Sequence, residues 1–483
     1  MQDLQRLAIK SVFWVGSIKF LSQMLSWGVT ILLIRLLSPE DYGMMAIALA
    51  YKLFVSIFFD LSIGEAILQK QEIDDRDTST AFWICMLFAI LLYILTWDLA
   101  HVWAGFFGDE KLVDIIRVIG LSLIFLSAKE IPQRLLARRF EFKRRSQFEF
   151  IAAIAALVAS LTLALGGYGV WALVIGELAK DAVLAVLIIG YTRWWPKLLF
   201  SLSSARALLR YGLPVTWHYM LEYVSNKSDS LIVGRVLGQE TLGYYTVAMT
   251  VSRIPVTKGI QIIQQVMFPL FSTLQRDIKE FQRYYYHVCY VVAVMFFPVF
   301  FGILAIAPEI VEVILSSKWL PSLFALQVFT VLGLLLAYSG IFLVILKARG
   351  NTKDVVRYSV ISAILLPASF LVSANYFGLN GVAISWLLVY PVLFVFLFRA
   401  VAREVGVSIA STLVRVRPAL IGATLMLFAV VAVKSLLFAG QPSIASMAFG
   451  IAFGGLVYTA YFWFFSRHTF ADMRSIWTSL RSK

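Results

Sequence analysis

The chain has 483 residues, 60% of them hydrophobic and 14% charged, with a formal charge of +14 at neutral pH. Soluble domains carry about 25% charged residues, so this composition excludes a water-soluble globular protein. Two cysteines, Cys85 and Cys289, both inside apolar runs, and four scattered histidines exclude a disulfide framework and a metal-ligand spacing.

Runs of about 20 apolar residues mark membrane-spanning helices. Fourteen follow one another, at 11–37, 42–67, 80–106, 112–128, 147–166, 169–191, 212–237, 243–271, 284–307, 321–346, 355–376, 380–401, 418–437 and 443–465. The first is read as a retained helix, because "MQDLQRLAIKSVFW" has no small-residue cleavage site. The expected fold is an all-α integral membrane protein.

Connections 69–79, 129–146, 192–211, 272–283, 347–354 and 402–417 lie on one side with both termini, and with Arg357 and Arg399 just inside helix ends this side holds 30 of the 42 basic residues, among them Lys129 and Arg134. The opposite side, with connections 38–41, 107–111, 167–168, 238–242, 308–320, 377–379 and 438–442, holds about three: Lys111, Lys318 and, just inside a helix end, Lys434. The basic side is cytoplasmic by the positive-inside rule, so both termini are expected inside. The positive charge is thus chiefly a topology signal, not a nucleic-acid footprint. The run "RRFEFKRRSQ" at 138–147 fits that reading, with lipid-headgroup binding as the alternative.

"RLLSPEDYG" at 35–43 returns as "RVLGQETLG" at 235–243, with Arg35/Arg235, Leu37/Leu237, Glu40/Glu240 and Gly43/Gly243 at an offset of 200. Residues 1–200 and 201–401 each hold six spans. An even number makes the repeat parallel, two six-helix lobes about an axis along the membrane normal, a plan known among transporters. Residues 402–483 add two helices and a basic tail. Arg35 and Arg235 fall near helix C-termini, and Glu40, Asp41 and Glu240 at N-termini, where those charges suit the helix dipole. The motif reads as outer-hairpin punctuation, with gating as the minority reading.

Lys52, Lys180, Lys227, Arg253 and Lys258 fall inside spans. Each costs roughly 2.5–3.5 kcal/mol at the bilayer centre. They must therefore face partners or a wet cavity. Lys19, Gln23, Ser26 and Thr30 share one helical face, as do Tyr219, Tyr223, Asn226 and Ser230 with Glu222 and Asp229 nearby. In the second span of each half, Lys52, Ser56 and Asp60 match Arg253, Thr257 and Gln261, with Gln264 beside them. A central cavity lined by Lys19, Gln23, Lys52, Asn226, Arg253, Lys258 and Gln264 is expected; helix-helix adhesion is the alternative for the hydroxyls. Glu177, Lys180 and Asp181 read as a self-compensating cluster. No Walker loop, G-x-G-x-x-G, G-x-S-x-G or H-E-x-x-H occurs, so no catalytic residue, cofactor or metal is assigned.

Three stretches, "RLLSPEDYGMMAIALA" (35–50), "FFDLSIGEAILQKQEI" (58–73) and "LLARRFEFKRR" (135–145), resemble the Wzx-type polysaccharide flippases of the multidrug/oligosaccharidyl-lipid/polysaccharide (MOP) exporter superfamily, especially the colanic-acid exporters. One departure is Ser62, where that pattern leads us to expect Gly. The resemblance implies a MATE/MOP-like fold and an inner-membrane carrier of undecaprenyl-pyrophosphate-linked oligosaccharide working by alternating access. Lys19, Lys52, Arg253 and Lys258 would hold the pyrophosphate. Asp60, Glu222 and Asp229 are the candidates for coupling to H⁺ or Na⁺, and neutralising a neighbouring Lys or Arg is their alternative role. Membrane lipids and other polysaccharide-assembly proteins are the implied partners. The competing functions are cation-coupled drug export, flipping of a peptidoglycan precursor, and a polytopic polymerase or glycosyltransferase.

Overall fold

The structure, a computed structural model, describes residues 27–465, without side chains at 255–266, 268 and 269. Its helices are α1 (Trp27–Leu36), α2 (Pro39–Asp60), α3 (Ile63–Gln69), α4 (Asp75–Phe107), α5 (Lys111–Gly120), α6 (Ser122–Arg138), α7 (Phe142–Leu165), α8 (Val170–Thr192) and α9 (Leu202–Thr273). There follow α10 (Ile278–Ala305), α11 (Ala307–Glu309), a π-helical turn (Ile310–Leu315), a 3₁₀ segment (Ser317–Ser322), α12 (Leu323–Ala348), α13 (Thr352–Val405), α14 (Ile409–Phe438) and α15 (Ile444–Phe465). No strand occurs among the described residues.

Each expected span from 42–67 to 443–465 falls largely on helix, with 42–67 broken at Leu61–Ser62 and 112–128 at Leu121. Eight helices among the described residues are long and apolar enough to cross a membrane. At 54 residues, α13 is far longer than the ~20 residues one crossing needs. It breaks at Gly378 (φ 60°, ψ −151°), as the still longer α9 breaks at Gly238 (φ 85°, ψ 174°). Both conformations belong to glycine alone, and both fall in connections expected on the outer side, 238–242 and 377–379.

The chain divides into two compact units, Met1–Gly243 and Tyr244–Lys483. This boundary falls inside α9, so the part of α9 before Gly243 belongs with the first unit. The local reason is its packing on α2 and α3. Tyr223 donates to the Ala50 carbonyl at 3.1 Å, and an added Cβ on Gly212 would lie 2.0 Å from the Leu61 carbonyl oxygen.

In a bilayer, helices gain little from hydrophobic attraction to one another, so close approach of small residues matters. The interface of α7 and α8 shows this. Ala152, Ser160 and Ala164 on α7, and Ala172 and Gly176 on α8, are buried. A Cβ on Gly176 would fall 1.8 Å from Ser160 Oγ. Large apolar side chains point outward instead, including Leu87, Ile94, Val158 and Val186. In the second unit the core is aromatic: Phe271 stacks on Phe281 at 4.6 Å, and Tyr285, Phe342 and Phe398 fill the space between α10, α12, α13 and α14.

Candidate functional site

The twice-written hairpin comes first. Ser38 caps α2: its Oγ accepts from Asp41 N at 3.1 Å, and Asp41 Oδ2 accepts from Ser38 N at 2.8 Å. Pro39 opens the helix, as its fixed φ allows. Glu40 lies 3.6 Å from Lys111 Nζ, an exposed ion pair. Arg235 stands over the Phe106 ring at 5.3 Å. Arg35 and Glu240 are exposed on the same two hairpins.

The glycines of the motif do something the sequence did not reveal. An added Cβ on Gly43 would lie 1.8 Å from the Gln239 carbonyl oxygen, and one on Gly243 would lie 1.8 Å from the Pro39 carbonyl oxygen. Positions 39 and 239, like 43 and 243, are 200 apart. Each copy of the motif therefore seats its glycine on the backbone of the other, in a reciprocal contact. Gln239 adds a hydrogen bond to Asp109 at 2.8 Å.

The second feature is a group of charges near the middle of α2 and α8. Lys52 Nζ donates to Glu177 Oε1 at 2.9 Å and to Asp181 Oδ2 at 2.5 Å. Lys180 Nζ donates to Glu177 Oε2 at 2.5 Å. Lys129 Nζ lies 3.9 Å from Asp181 Oδ1, too long for a hydrogen bond. Lys52, Lys129 and Asp181 are buried, while Lys180 is half exposed. Removing the sole partner of a buried charge costs about 3–5 kcal/mol, but here each carboxylate has two lysine neighbours.

This arrangement corrects two readings. Lys129 does not belong to a cytoplasmic connection: α6 runs on to Arg138 and carries Lys129 to Asp181. Nor is the Glu177–Lys180–Asp181 cluster self-contained, since Asp181 pairs with Lys52 from α2 and Lys129 from α6 rather than with Lys180. Sequence gave a partial signal for Lys129. The segment following it, "IPQRLLAR", keeps apolar residues at helical spacing.

A third group gathers where α2 ends. Leu61 (φ 42°) and Ser62 (φ 53°) are both left-handed and separate α2 from α3. A glycine adopts this conformation freely, whereas an L side chain there costs roughly 1–2 kcal/mol, which gives the Ser62 departure its physical meaning. Ser62 Oγ lies 3.4 Å from Thr216 Oγ1. Asp60 Oδ1 accepts from Gly64 N at 3.4 Å, and Gly64 lies against the Glu130–Arg134 pair, itself 2.6 Å long. Tyr219 donates to Glu65. Asp60 thus stands among carboxylates with Arg134 as the neighbouring cation.

The other expected site residues are dispersed. Glu222 and Asn226 are exposed on α9, and Asp229 is buried, its Oδ1 accepting from Ser230 N at 2.6 Å. Arg253 is half-buried in the second unit. Lys19 and Gln23 lie outside the described residues, as do the side chains of Lys258 and Gln264.

A buried ion pair in the second unit escaped sequence reasoning. Lys434 Nζ on α14 meets Glu309 Oε1 at 2.6 Å and donates to the Ala305 carbonyl at 2.8 Å. Ser446 Oγ of α15 donates to the same Glu309 oxygen at 2.7 Å. The last two helices are thereby tied to the end of α10.

Known proteins place the chain. The polysaccharide biosynthesis protein family, Polysacc_synt_3, matches residues 32–324. The chain belongs to this family. Among its relatives, the lipopolysaccharide biosynthesis protein WzxC of Escherichia coli K12 is 23% identical over 359 residues, covering 74% of this chain and 73% of the relative. The succinoglycan biosynthesis transport protein ExoT of Rhizobium meliloti is 24% identical over 339 residues, covering 69% and 67%.

This member of the polysaccharide biosynthesis family shares its fold with solved transporters. The lipid II flippase MurJ, in an inward closed conformation, superposes with a TM-score of 0.78 at 18% identity, over 94% of this chain and 99% of that one. An inward-facing multidrug MATE transporter of the MOP superfamily gives 0.62 at 14% identity, over 80% and 96%. The fold is that of the MOP transporters.

Proposed function

We propose that this chain is a flippase. It moves an oligosaccharide linked to undecaprenyl pyrophosphate from the cytoplasmic to the periplasmic leaflet by alternating access, for assembly of a surface polysaccharide. The observation that carries the reading is the charge cluster of Lys52, Lys129 and Lys180 against Glu177 and Asp181, on helices that this reading places inside the membrane. An intramembrane charge is costly and marks a substrate or ion path. An excess cation in a MOP fold suits an anionic headgroup and opposes a cationic drug. Family membership, the transport role in the name of ExoT and the fold shared with the lipid II flippase MurJ support the same reading.

In this reading the chain crosses the bilayer fourteen times with both termini in the cytoplasm. Residues 1–200 and 201–401 form two parallel lobes, and 402–483 form the trailing pair and tail. The reciprocal Gly43 and Gly243 contacts support the duplication. Lys52 and Arg253, with Lys19, Lys258, Gln23, Asn226 and Gln264, contact the substrate, and Asp60, Glu222 or Asp229 couples transport to H⁺ or Na⁺. The protein is a carrier and not an enzyme, resident in the bacterial inner membrane beside other polysaccharide-assembly proteins.

The test uses cells whose surface polysaccharide depends on this chain. Lys52→Ala and Arg253→Ala should abolish surface polysaccharide while the protein still inserts at normal levels. Normal polysaccharide from the double variant would remove the headgroup role from both residues.

A further inference from the structure

The charges around Lys52 are distributed in an unusual way. Each of the two carboxylates has two oxygens and two lysine neighbours. Glu177 holds Lys52 on one oxygen and Lys180 on the other, at 2.9 and 2.5 Å. Asp181 holds Lys52 at 2.5 Å on one oxygen, with Lys129 standing 3.9 Å from the other. Lys52 is therefore gripped by both acids, yet neither acid depends on Lys52 alone.

That matters because Lys52 is the residue we assign to the substrate. A lysine locked between two buried carboxylates does not ordinarily leave them, since stranding a buried charge is strongly unfavourable. Here the stranding does not occur. Lys180 already neutralises Glu177. Lys129 needs only about 1 Å of movement to reach hydrogen-bonding distance of Asp181, and a lysine stem has the rotational freedom for it. Glu130, next to Lys129, is paired with Arg134 at 2.6 Å, so the three lysines and two acids of the cluster carry one positive charge in excess.

We propose that Lys129 and Lys180 are exchange partners: they take over Asp181 and Glu177 when Lys52 turns to the pyrophosphate of the lipid-linked substrate. The cluster thereby delivers its one excess positive charge to the substrate without leaving a carboxylate unpaired. The inference rests on the flippase reading and deepens it. Lys129 and Lys180 are positioning residues that act through Lys52, and the charge count of the cluster, not any single contact, sets headgroup affinity.

The experiment measures binding of undecaprenyl pyrophosphate to the purified full chain in nanodiscs, together with its melting temperature. Lys129→Met leaves two lysines and two acids. It should bind about tenfold more weakly or worse, with a melting temperature equal to or above the wild type. Adding Asp181→Asn restores the excess charge, and the double variant should regain affinity to within about threefold of wild type. Lys180→Met, on a half-exposed side chain, should weaken binding in the same way, and it decides the matter should Lys129→Met fail to fold. Wild-type protein that does not bind undecaprenyl pyrophosphate overturns the flippase reading and this inference with it. Wild-type binding that persists in the two single variants, or a double variant that stays weak, overturns the inference alone.

Discussion

Replacing Gly243 by Ala tests the reciprocal hairpin contact. The new Cβ would stand 1.8 Å from the Pro39 carbonyl oxygen and 2.6 Å from its carbon, and ordinary contact begins near 3.4 Å, so the two backbones must part by about 1.6 Å. Backbone cannot rotate away as a side-chain tip can. Overpacking of this kind costs about 1–3 kcal/mol, and 2 kcal/mol shifts a two-state equilibrium roughly 30-fold. The change should therefore disfavour the hairpin arrangement seen here. Gly43→Ala should do the same by the same amount, because its clash with Gln239 has the same distances. The double variant should cost less than the sum, since one separation relieves both clashes, and contacting sites are non-additive. The assay is a pulsed spin-label distance between Glu40→Cys and Glu240→Cys, in a background with Cys85 and Cys289 changed to Ser. Labels on these exposed positions should move apart in either glycine variant. An unchanged distance distribution with an unchanged melting temperature would refute the reasoning.

Two further substitutions probe the fold. Lys434→Met leaves Glu309 buried with Ser446 as its remaining hydrogen-bond donor, and should lower stability by about 3–5 kcal/mol in thermal unfolding, whereas Lys434→Met with Glu309→Gln should recover most of it. Ser62→Gly removes a left-handed L residue and should raise stability by about 1 kcal/mol; a lower melting temperature would mean that the 3.4 Å approach to Thr216 outweighs the backbone term.

Much of this architecture was legible in the sequence because apolar runs are local signals. Gly238 and Gly378 fall in the outer connections expected from hydropathy, and Glu40 and Asp41 stand in the first turn of α2 as the helix-dipole reading expected. The charge cluster was only half legible. Lys52 was recognisable as an intramembrane cation, but Asp181 was matched to Lys180, its sequence neighbour, because helical spacing reports one helix at a time. Lys129 was misplaced for a related reason: the apolar run weakens at 128, and the helix is continued by packing of α6 on α3 and α8. The Gly43 and Gly243 contacts were visible as matched letters, and only tertiary structure could say what each glycine touches. Glu309 and Lys434 lie 125 positions apart on segments that nothing local connects.

The central claim is translocation, and it can be measured directly. The purified chain is reconstituted into vesicles carrying undecaprenyl-pyrophosphate-linked oligosaccharide on one leaflet, and a glycosidase added to the other side reports sugar that has crossed. Flipping predicts cleavage that grows with time in vesicles containing the chain, with none above background in empty vesicles or with Lys52→Ala and Arg253→Ala together. Cleavage equal to that of empty vesicles, with export of a cationic dye by the same preparation, would contradict the account.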